Sequence, residues 1–154
     1  MIDLPEIKTK KIAIKLNSSA EVIVKKGHPW VFENSIIKQN STGKSGDLVV
    51  LFDNRKNKFL ACGLYDPFSP IRIKILQANQ SAVIDKDWFE QRISEAYNKR
   101  IPLLKTATNS YRLIYGENDH FPSFIADVYH QVLVIKLYAQ IWFPYLKDIL
   151  PALL

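Results

Sequence analysis

The first half of the chain consists of short runs of alternating or β-branched residues, each bounded by turn residues. Such runs are typical of half-buried strands, because successive side chains of a strand point to opposite faces of its sheet. Residues 30–37 are ambiguous and could form a short helix. Five or six short strands at this spacing predict a small barrel or sandwich. The predicted strands cover residues 11–16, 20–24, 47–52, 59–65 and 71–76.

A different pattern begins near Gln77. Apolar side chains recur at helical spacing over residues 87–104, and Asp87 three residues before Glu90 predicts a capping box at the helix start. Pro102 is expected just past the end of this helix. The predicted fold class is therefore α+β, with a small β-barrel domain at 1–77 and an α/β domain at 78–154. The remaining predicted elements are strands at 111–116, 124–127 and 132–138 and a helix at 142–154.

The C-terminus ends on the apolar residues Pro151-Ala-Leu-Leu. Natural chain ends are usually polar and frayed. We therefore expect the chain to be a fragment of a longer protein and its α/β domain to be incomplete.

The net positive charge of the chain lies in its first half. Residues 1–77 hold thirteen Lys and Arg against seven Asp and Glu, a net +6, whereas residues 78–154 hold eight of each. Such asymmetry suggests that one half meets a polyanion and the other does not. The alternative is a solvated basic surface on an ordinary domain.

Residues 25–32, Lys-Lys-Gly-His-Pro-Trp-Val-Phe, combine two cations, a turn and two aromatic rings. Cations neutralise phosphates, and aromatic faces stack on unpaired bases. The alternative is a basic strand end followed by a core Trp and Phe. His28 either hydrogen-bonds a phosphate or base, or braces the turn.

Arg72 and Lys74 alternate with isoleucines, so they share a face of their strand that is either solvated or in contact with RNA. The same two interpretations apply to Lys10, Lys11 and Lys15.

Several classes of site are absent from the sequence. The five glycines, at 27, 43, 46, 63 and 116, are never two residues apart, so a Gly-x-Gly cofactor loop is missing. One cysteine allows no internal disulfide, as befits a reducing cytoplasm, and Cys62 lies in an apolar strand that predicts a buried structural thiol. The scattered histidines predict no zinc site. No apolar run reaches the roughly 18–20 residues of a membrane span.

The segment from Tyr111 to Tyr129 places charged residues within apolar strands. Arg112, Glu117, Asp119 and Asp127 could form a buried ion-pair network or, as paired carboxylates, an acid–base or metal site. The adjacent arginine favours structural pairing.

These residues resemble a known family. The run of residues 25–32, then Gly-Asp-Leu-Val, then Ala-Cys-Gly-Leu-Tyr-Asp-Pro-x-Ser-Pro-Ile-x-Ile-x-Ile-Leu, resembles the N-terminal PUA-like domain of the bacterial methyltransferases that modify cytosine C5 of large-subunit ribosomal RNA. A second motif, Arg-Leu-Ile-Tyr-Gly-Glu-Asn-Asp followed by Phe-Pro-Ser-Phe-Ile-Ala-Asp-Val-Tyr, is similar to a segment of the family's small central α/β domain. The resemblance covers nearly the whole chain. His120 and Ser123 stand where the family often has glycine.

The resemblance implies a cytoplasmic parent enzyme of ribosomal RNA processing that transfers a methyl group from S-adenosylmethionine to RNA. It also implies a Rossmann-like catalytic domain with the cofactor loop and a nucleophilic cysteine, and neither occurs in this sequence. The chain is therefore expected to bind and orient RNA and to be inactive alone, with no catalytic, cofactor-binding or metal-binding residue. The expected RNA contacts are Lys25, Lys26, His28 and Trp30, followed by Arg72 and Lys74.

Two other functions stay open at the level of sequence. One is a stand-alone RNA-binding adaptor without catalysis, and the other is a protein-interaction module whose basic half meets an acidic partner. The target nucleotide and the oligomeric state, a homodimer included, are also open.

Overall fold

The computed structural model describes residues 3–154, and the chain divides into two compact units, Met1–Ala82 and Val83–Leu154. The first unit contains a six-stranded sheet and the second a three-stranded sheet. The elements of the first unit are β1 (Lys11–Leu16), α1 (Ser18–Lys25), β2 (Trp30–Phe32), β3 (Ile36–Gln39), β4 (Leu48–Phe52), β5 (Phe59–Tyr65) and β6 (Ile71–Ala78). Those of the second are α2 (Lys86–Leu104), β7 (Ser110–Tyr115), β8 (Phe124–Tyr129), β9 (Val132–Leu137) and α3 (Leu146–Leu153).

The six-stranded sheet curves into a small, partly closed barrel. Its strand order is β2-β6-β5-β4-β1-β3, with β1 parallel to β4 and the other neighbours antiparallel. β2 and β3 lie at opposite edges, yet the short 3₁₀ turn Glu33–Ser35 joins them along the chain. The sheet must therefore bend until its two edges approach each other. Apolar side chains with no exposed surface fill the inside, among them Ile12, Ile14, Leu16, Leu51, Leu64 and Ile73.

The segment predicted as a strand at residues 20–24 lies in α1, so that prediction is wrong. Asn17 caps the helix, because its Oδ1 accepts the backbone N–H of Ala20 at 2.9 Å. At the other end Gly27 takes a left-handed φ of 92°, and its N–H donates to the carbonyl of Val24 at 2.9 Å. The β-branched residues of this segment favour a strand, but caps at both ends satisfy the terminal backbone groups and stabilise the helix. The Gly-His-Pro turn therefore ends a helix.

Gly63 permits the close pairing of β5 and β6. A Cβ atom at this position would overlap the backbone carbonyl of Lys74, and the strand register shifts between Cys62 and Gly63. Glycine is the residue that allows such an approach. The neighbouring Cys62 is buried, as predicted, and burial raises the pKa of its thiol to about 11.

The second unit places two helices and an antiparallel β7-β8-β9 sheet around an aromatic core. Phe89, Phe121, Phe124 and Trp142 have no exposed surface. The centroids of their contacting rings are 5.4 to 6.4 Å apart, and the five pairs are tilted or edge-to-face. The indole N–H of Trp142 donates to the carbonyl of Pro122 at 2.7 Å, so the buried polar atom has a partner. The predicted helix at 142–154 is a 3₁₀ segment, Gln140–Tyr145, followed by α3.

Both ends of α2 differ from the prediction. The N-cap is Asp85, whose Oδ1 accepts the N–H of Trp88 at 3.0 Å. The predicted capping box of Asp87 and Glu90 is therefore wrong, because both residues lie inside the helix. Pro102 lies inside the last turn. Beyond the proline the helix ends at Leu104, and Thr106 donates its N–H and its hydroxyl to the carbonyl of Leu103 at 3.1 and 2.6 Å.

The connection between β7 and β8 contains His120 and Ser123 in the left-handed region, with φ of 64° and 62°. These are the two positions at which the resembled family often has glycine. The turn thus keeps the backbone conformation that favours glycine, although both residues carry a Cβ atom. This left-handed conformation lowers the stability by about 1 kcal/mol or more at each position.

Candidate nucleic-acid interface

Lys25 and Lys26 lie side by side at the C-terminal end of α1, and both are exposed. Within residues 3–154 neither side chain takes part in an ion pair shorter than 4.0 Å. Cations at this end of a helix are favoured by the helix dipole. The two lysines therefore stabilise α1 and still present their ammonium groups to an external anion.

The turn after α1 packs His28 against Trp30. The backbone N–H of Trp30 donates to Nδ1 of His28 at 3.3 Å, and the two ring centroids are 5.9 Å apart in an edge-on arrangement. Trp30 is 37% exposed and Phe32 is 43% exposed. The alternative of a core Trp and Phe is therefore wrong, and His28 braces the turn that holds the exposed indole.

Beside these rings lies a shallow apolar cleft of about 310 Å³. An apolar cleft with an exposed aromatic edge suits an unstacked base, and adjacent lysines suit its phosphates. The sequence does not predict Ile23 at this site, because its β-branched pattern indicates a strand at residues 20–24, whereas Phe32 belongs to the run for which base stacking and a core position both stay open. The cap signals at Asn17 and Gly27 could have revealed the helix that exposes Ile23. The cleft is lined by Ala20, Ile23, His28, Trp30, Val31, Phe32 and Ser35.

The expected open face of Arg72 and Lys74 does not exist. Nζ of Lys74 is buried and lies 2.6 Å from Oδ2 of Asp66, with side-chain exposures of 6% and 7%. Arg72 is mostly buried as well, donating to the carbonyl of Pro67 at 2.8 Å and pairing with Glu33 at 2.8 Å. Strand alternation predicts which face of the sheet a residue lies on, but it does not predict whether that face is exposed. The loop after β5 covers this face and supplies Asp66, so Arg72 and Lys74 are not available to RNA.

Lys10 and Lys11 lie at the opposite end of the barrel from α1, whereas Lys15 lies near the end of β1 that α1 follows. Because β1 and β4 are parallel, the segments that follow both strands share one end and the segments that precede them share the other. α1 follows β1, whereas Lys10 precedes it and donates its N–H to Oδ1 of Asp47 at 3.0 Å. The exposed residues Lys10 and Lys11 are therefore separated from Lys25 and Lys26 by the length of the strands.

In the segment from Tyr111 to Tyr129, Arg112 and Asp119 belong to separate sets of ion pairs. Arg112 makes a two-point contact with Asp127, with its Nε and Nη2 at 2.7 and 3.1 Å from the carboxylate oxygens. The two residues are direct partners across β7 and β8. This pairing within the sheet agrees with the structural interpretation of the motif.

The other set surrounds Asp119, which is buried. Its carboxylate accepts two hydrogen bonds from Arg100 at 3.0 and 2.6 Å, one from Lys99 at 3.1 Å and one from the N–H of Tyr115 at 2.8 Å. Burial by itself would raise the pKa of Asp119, but these bonds and the charge of Arg100 outweigh it and lower that pKa. Asp119 thus holds the turn after β7 against α2 through its hydrogen bonds to Arg100 and Lys99.

The residues present do not fit an S-adenosylmethionine site. The glycines with positive φ, Gly27, Gly46 and Gly116, lie in separate turns, so they form no glycine-rich loop around a nucleotide. Within residues 3–154 no group of three or more His, Cys, Asp or Glu is arranged to hold a metal ion. The same part of the chain contains no helix with the length and apolar character of a membrane span.

Comparison with known proteins matches the barrel to the PUA-like domain family over residues 14–78. The ribosomal RNA large subunit methyltransferase of Deinococcus radiodurans is 38% identical over 151 residues, which are 95% of this chain and 37% of that protein. The ribosomal RNA large subunit methyltransferase I of Pseudoalteromonas translucida is 32% identical over 126 residues, 81% of this chain and 32% of that protein. The chain thus spans about a third of the length of these relatives.

Two solved structures share the fold. A Streptococcus mutans protein described as a SAM-dependent methyltransferase superposes with a TM-score of 0.78 at 17% identity, over 92% of this chain and 36% of that one. A methyltransferase complexed with SAH has a TM-score of 0.77 at 17% identity, over 94% and 37% of the two chains. The predicted resemblance to the large-subunit ribosomal RNA methyltransferase family and the α+β fold class are confirmed, and residues 14–78 of the chain match the PUA-like domain family.

Proposed function

We propose that this chain is the RNA-binding portion of an S-adenosylmethionine-dependent methyltransferase that acts on large-subunit ribosomal RNA in the cytoplasm. The domain at 1–77 binds RNA, and the segment at 78–154 is part of the central α/β domain. The proposal is supported by two relatives, 38% and 32% identical, that are ribosomal RNA large subunit methyltransferases.

The observation that carries the proposal is the surface formed by the end of α1 and the start of β2. Lys25 and Lys26 contact phosphates, while Trp30, braced by His28, stacks on a base next to the apolar cleft. Arg72 and Lys74 leave the set of proposed contacts, because their charges are paired inside the unit. They hold the β5–β6 connection against the barrel.

Methyl transfer belongs, in this proposal, to the part of the protein outside residues 1–154. That part would bind S-adenosylmethionine and carry the nucleophile for cytosine C5. The chain alone is expected to bind RNA without methylating it.

The test measures the affinity of the chain for a fluorescein-labelled RNA stem–loop across a KCl series. Replacing Lys25 and Lys26 with alanine removes two phosphate contacts, so the slope of log K against log[salt] should become shallower by about 1.5, at roughly 0.7–0.9 per phosphate. The matched control replaces Lys10 and Lys11 at the other end of the barrel and should keep the wild-type slope.

An unchanged slope in the Lys25→Ala, Lys26→Ala variant would remove these lysines from the interface. If the wild-type chain binds no RNA at low salt, the proposed function fails, and retained binding to an acidic protein would favour the interaction-module alternative.

A further inference from the structure

The loop between β4 and β5 is a densely basic exposed segment of the first unit. Residues 53–58 read Asp-Asn-Arg-Lys-Asn-Lys, and Arg55, Lys56 and Lys58 are all exposed. Across the described residues 3–154, none of these three side chains takes part in an ion pair shorter than 4.0 Å. Three unneutralised cations within four positions raise the local potential and attract a polyanion.

The backbone of this loop has a defined shape. The N–H of Asp53 donates to the carbonyl of Lys58 at 2.9 Å, and Oδ1 of Asp53 accepts the N–H of Lys56 at 2.6 Å. Asn57 provides the left-handed residue of the turn, with φ of 55°. Burial opposes ionisation of Asp53, but the backbone N–H groups of the loop lower its pKa. Its carboxylate therefore shapes the loop backbone and leaves the cationic side chains outward.

The loop is attached to α1, which carries the proposed phosphate contacts. The N–H of Asn54 donates to Oε1 of Glu21 at 2.8 Å, and the charge of Lys25 contributes to the lowered pKa of Asp53. The side-chain amide of Asn79, at the end of β6, donates to the carbonyl of Lys25 at 3.1 Å. The three loop cations and the two lysines of α1 are consequently at the same end of the barrel.

We propose that the β4–β5 loop is a second phosphate-binding element, so that an RNA backbone passing Lys25 and Lys26 continues across Arg55, Lys56 and Lys58. The inference rests on the proposed function and extends its contact surface from two cations to five. The ligand chemistry is the phosphodiester backbone, since the loop offers cations and no aromatic ring for base stacking. Arg55 can take a phosphate with two parallel N–H groups, and the lysines act as point charges.

The experiment compares two triple variants of the 154-residue chain with the wild type on the same fluorescein-labelled RNA stem–loop. The test variant is Arg55→Gln, Lys56→Gln, Lys58→Gln, and the control of equal charge change is Lys10→Gln, Lys11→Gln, Lys44→Gln at the opposite end of the barrel. The loop variant should have a salt slope shallower by about 2 and, near 0.15 M salt, a Kd roughly 50-fold higher. The control should keep the slope. The hydrogen bonds that shape the loop use backbone N–H groups and Asp53, so the variant should fold, which far-UV circular dichroism checks.

Each result has a distinct meaning. If the loop variant keeps the wild-type slope while Lys25→Ala, Lys26→Ala loses part of it, this inference is overturned and the proposed function stands. If the salt slope becomes equally shallow in the loop variant and in the control, the effect is one of general charge, and the inference is also overturned. If the wild-type chain shows no salt-dependent binding, the proposed function and the inference fail together.

Discussion

Ser123 is held in a backbone conformation that favours glycine, and replacing it with glycine should stabilise the second unit. Its φ of 62° lies in the left-handed region, where the Cβ atom of an L-residue crowds the following carbonyl. The backbone carbonyl of Ser123 accepts the N–H of Tyr138 at 2.9 Å, and this bond is unaffected by the substitution. The side chain is thus the part that causes the strain.

The expected gain follows from two opposing terms. Relief of the left-handed strain contributes about 1–2 kcal/mol. The greater conformational freedom of glycine in the unfolded chain lowers the stability by about 0.4–1 kcal/mol. The free energy of unfolding should therefore rise by about 0.5–1 kcal/mol, which corresponds to an increase in Tm of about 2–8 °C for a unit of this size.

The assay is urea and thermal unfolding of Ser123→Gly followed by circular dichroism. Ser94→Gly is the matched control, because Ser94 is an exposed residue in the middle of α2 and the same substitution there should cost about 0.5 kcal/mol in helix propensity. Opposite signs for the two variants support the argument. A loss of stability in Ser123→Gly as large as that in Ser94→Gly would refute it.

Two further results are expected. Trp30→Ala should weaken binding to an RNA loop by about 1–3 kcal/mol without changing the salt slope, since in the proposed function the indole stacks on a base and neutralises no phosphate. An equal loss on a fully paired RNA, measured by fluorescence anisotropy, would contradict base stacking. Asp119→Ala should lower the free energy of unfolding by about 3 kcal/mol, because Arg100 and the N–H of Tyr115 lose their partner. The pKa of Asp119 is lowered on folding, so its contribution is complete above pH about 4 and declines as the pH falls toward the folded-state pKa. Urea unfolding at neutral and acidic pH checks this, and a pH dependence as steep in the variant as in the wild type would show that other carboxylates cause it.

The strands and long helix were predictable because their signals are local. β1, β4, β5 and β6 each carry an alternating or β-branched run, and the apolar spacing of α2 extends over nineteen residues. The sequence does not predict α1, although its signals are also local. The β-branched residues at 22–24 favour a strand, and this signal is more prominent than the helix caps at Asn17 and Gly27. Cap residues decide a helix of this length, because much of its backbone lies within the first and last turns.

The candidate site was predictable in part. The run of residues 25–32 concentrates cations, a turn and aromatic rings, and the structure leaves Lys25, Lys26 and Trp30 exposed. Arg72 and Lys74 could not be assigned from their strand pattern, because their surroundings depend on Asp66 and Glu33, which lie on other segments. The basic loop at 53–58 is apparent in the sequence as a polar stretch between two predicted strands, but its position beside α1 depends on the contact between Asn54 and Glu21.

The sequence by itself determined the α+β class, the basic character of the first half, the buried Cys62 and the absence of a glycine-rich cofactor loop. These properties depend on composition and short-range periodicity, which folding does not alter. The tertiary structure alone decided which cations are available to a ligand. Lys74 and Lys25 have the same side chain, but a covering loop buries one against Asp66 and the end of a helix leaves the other in water. Burial depends on segments distant in the chain, so only their packing separates a buried, paired charge from an exposed one.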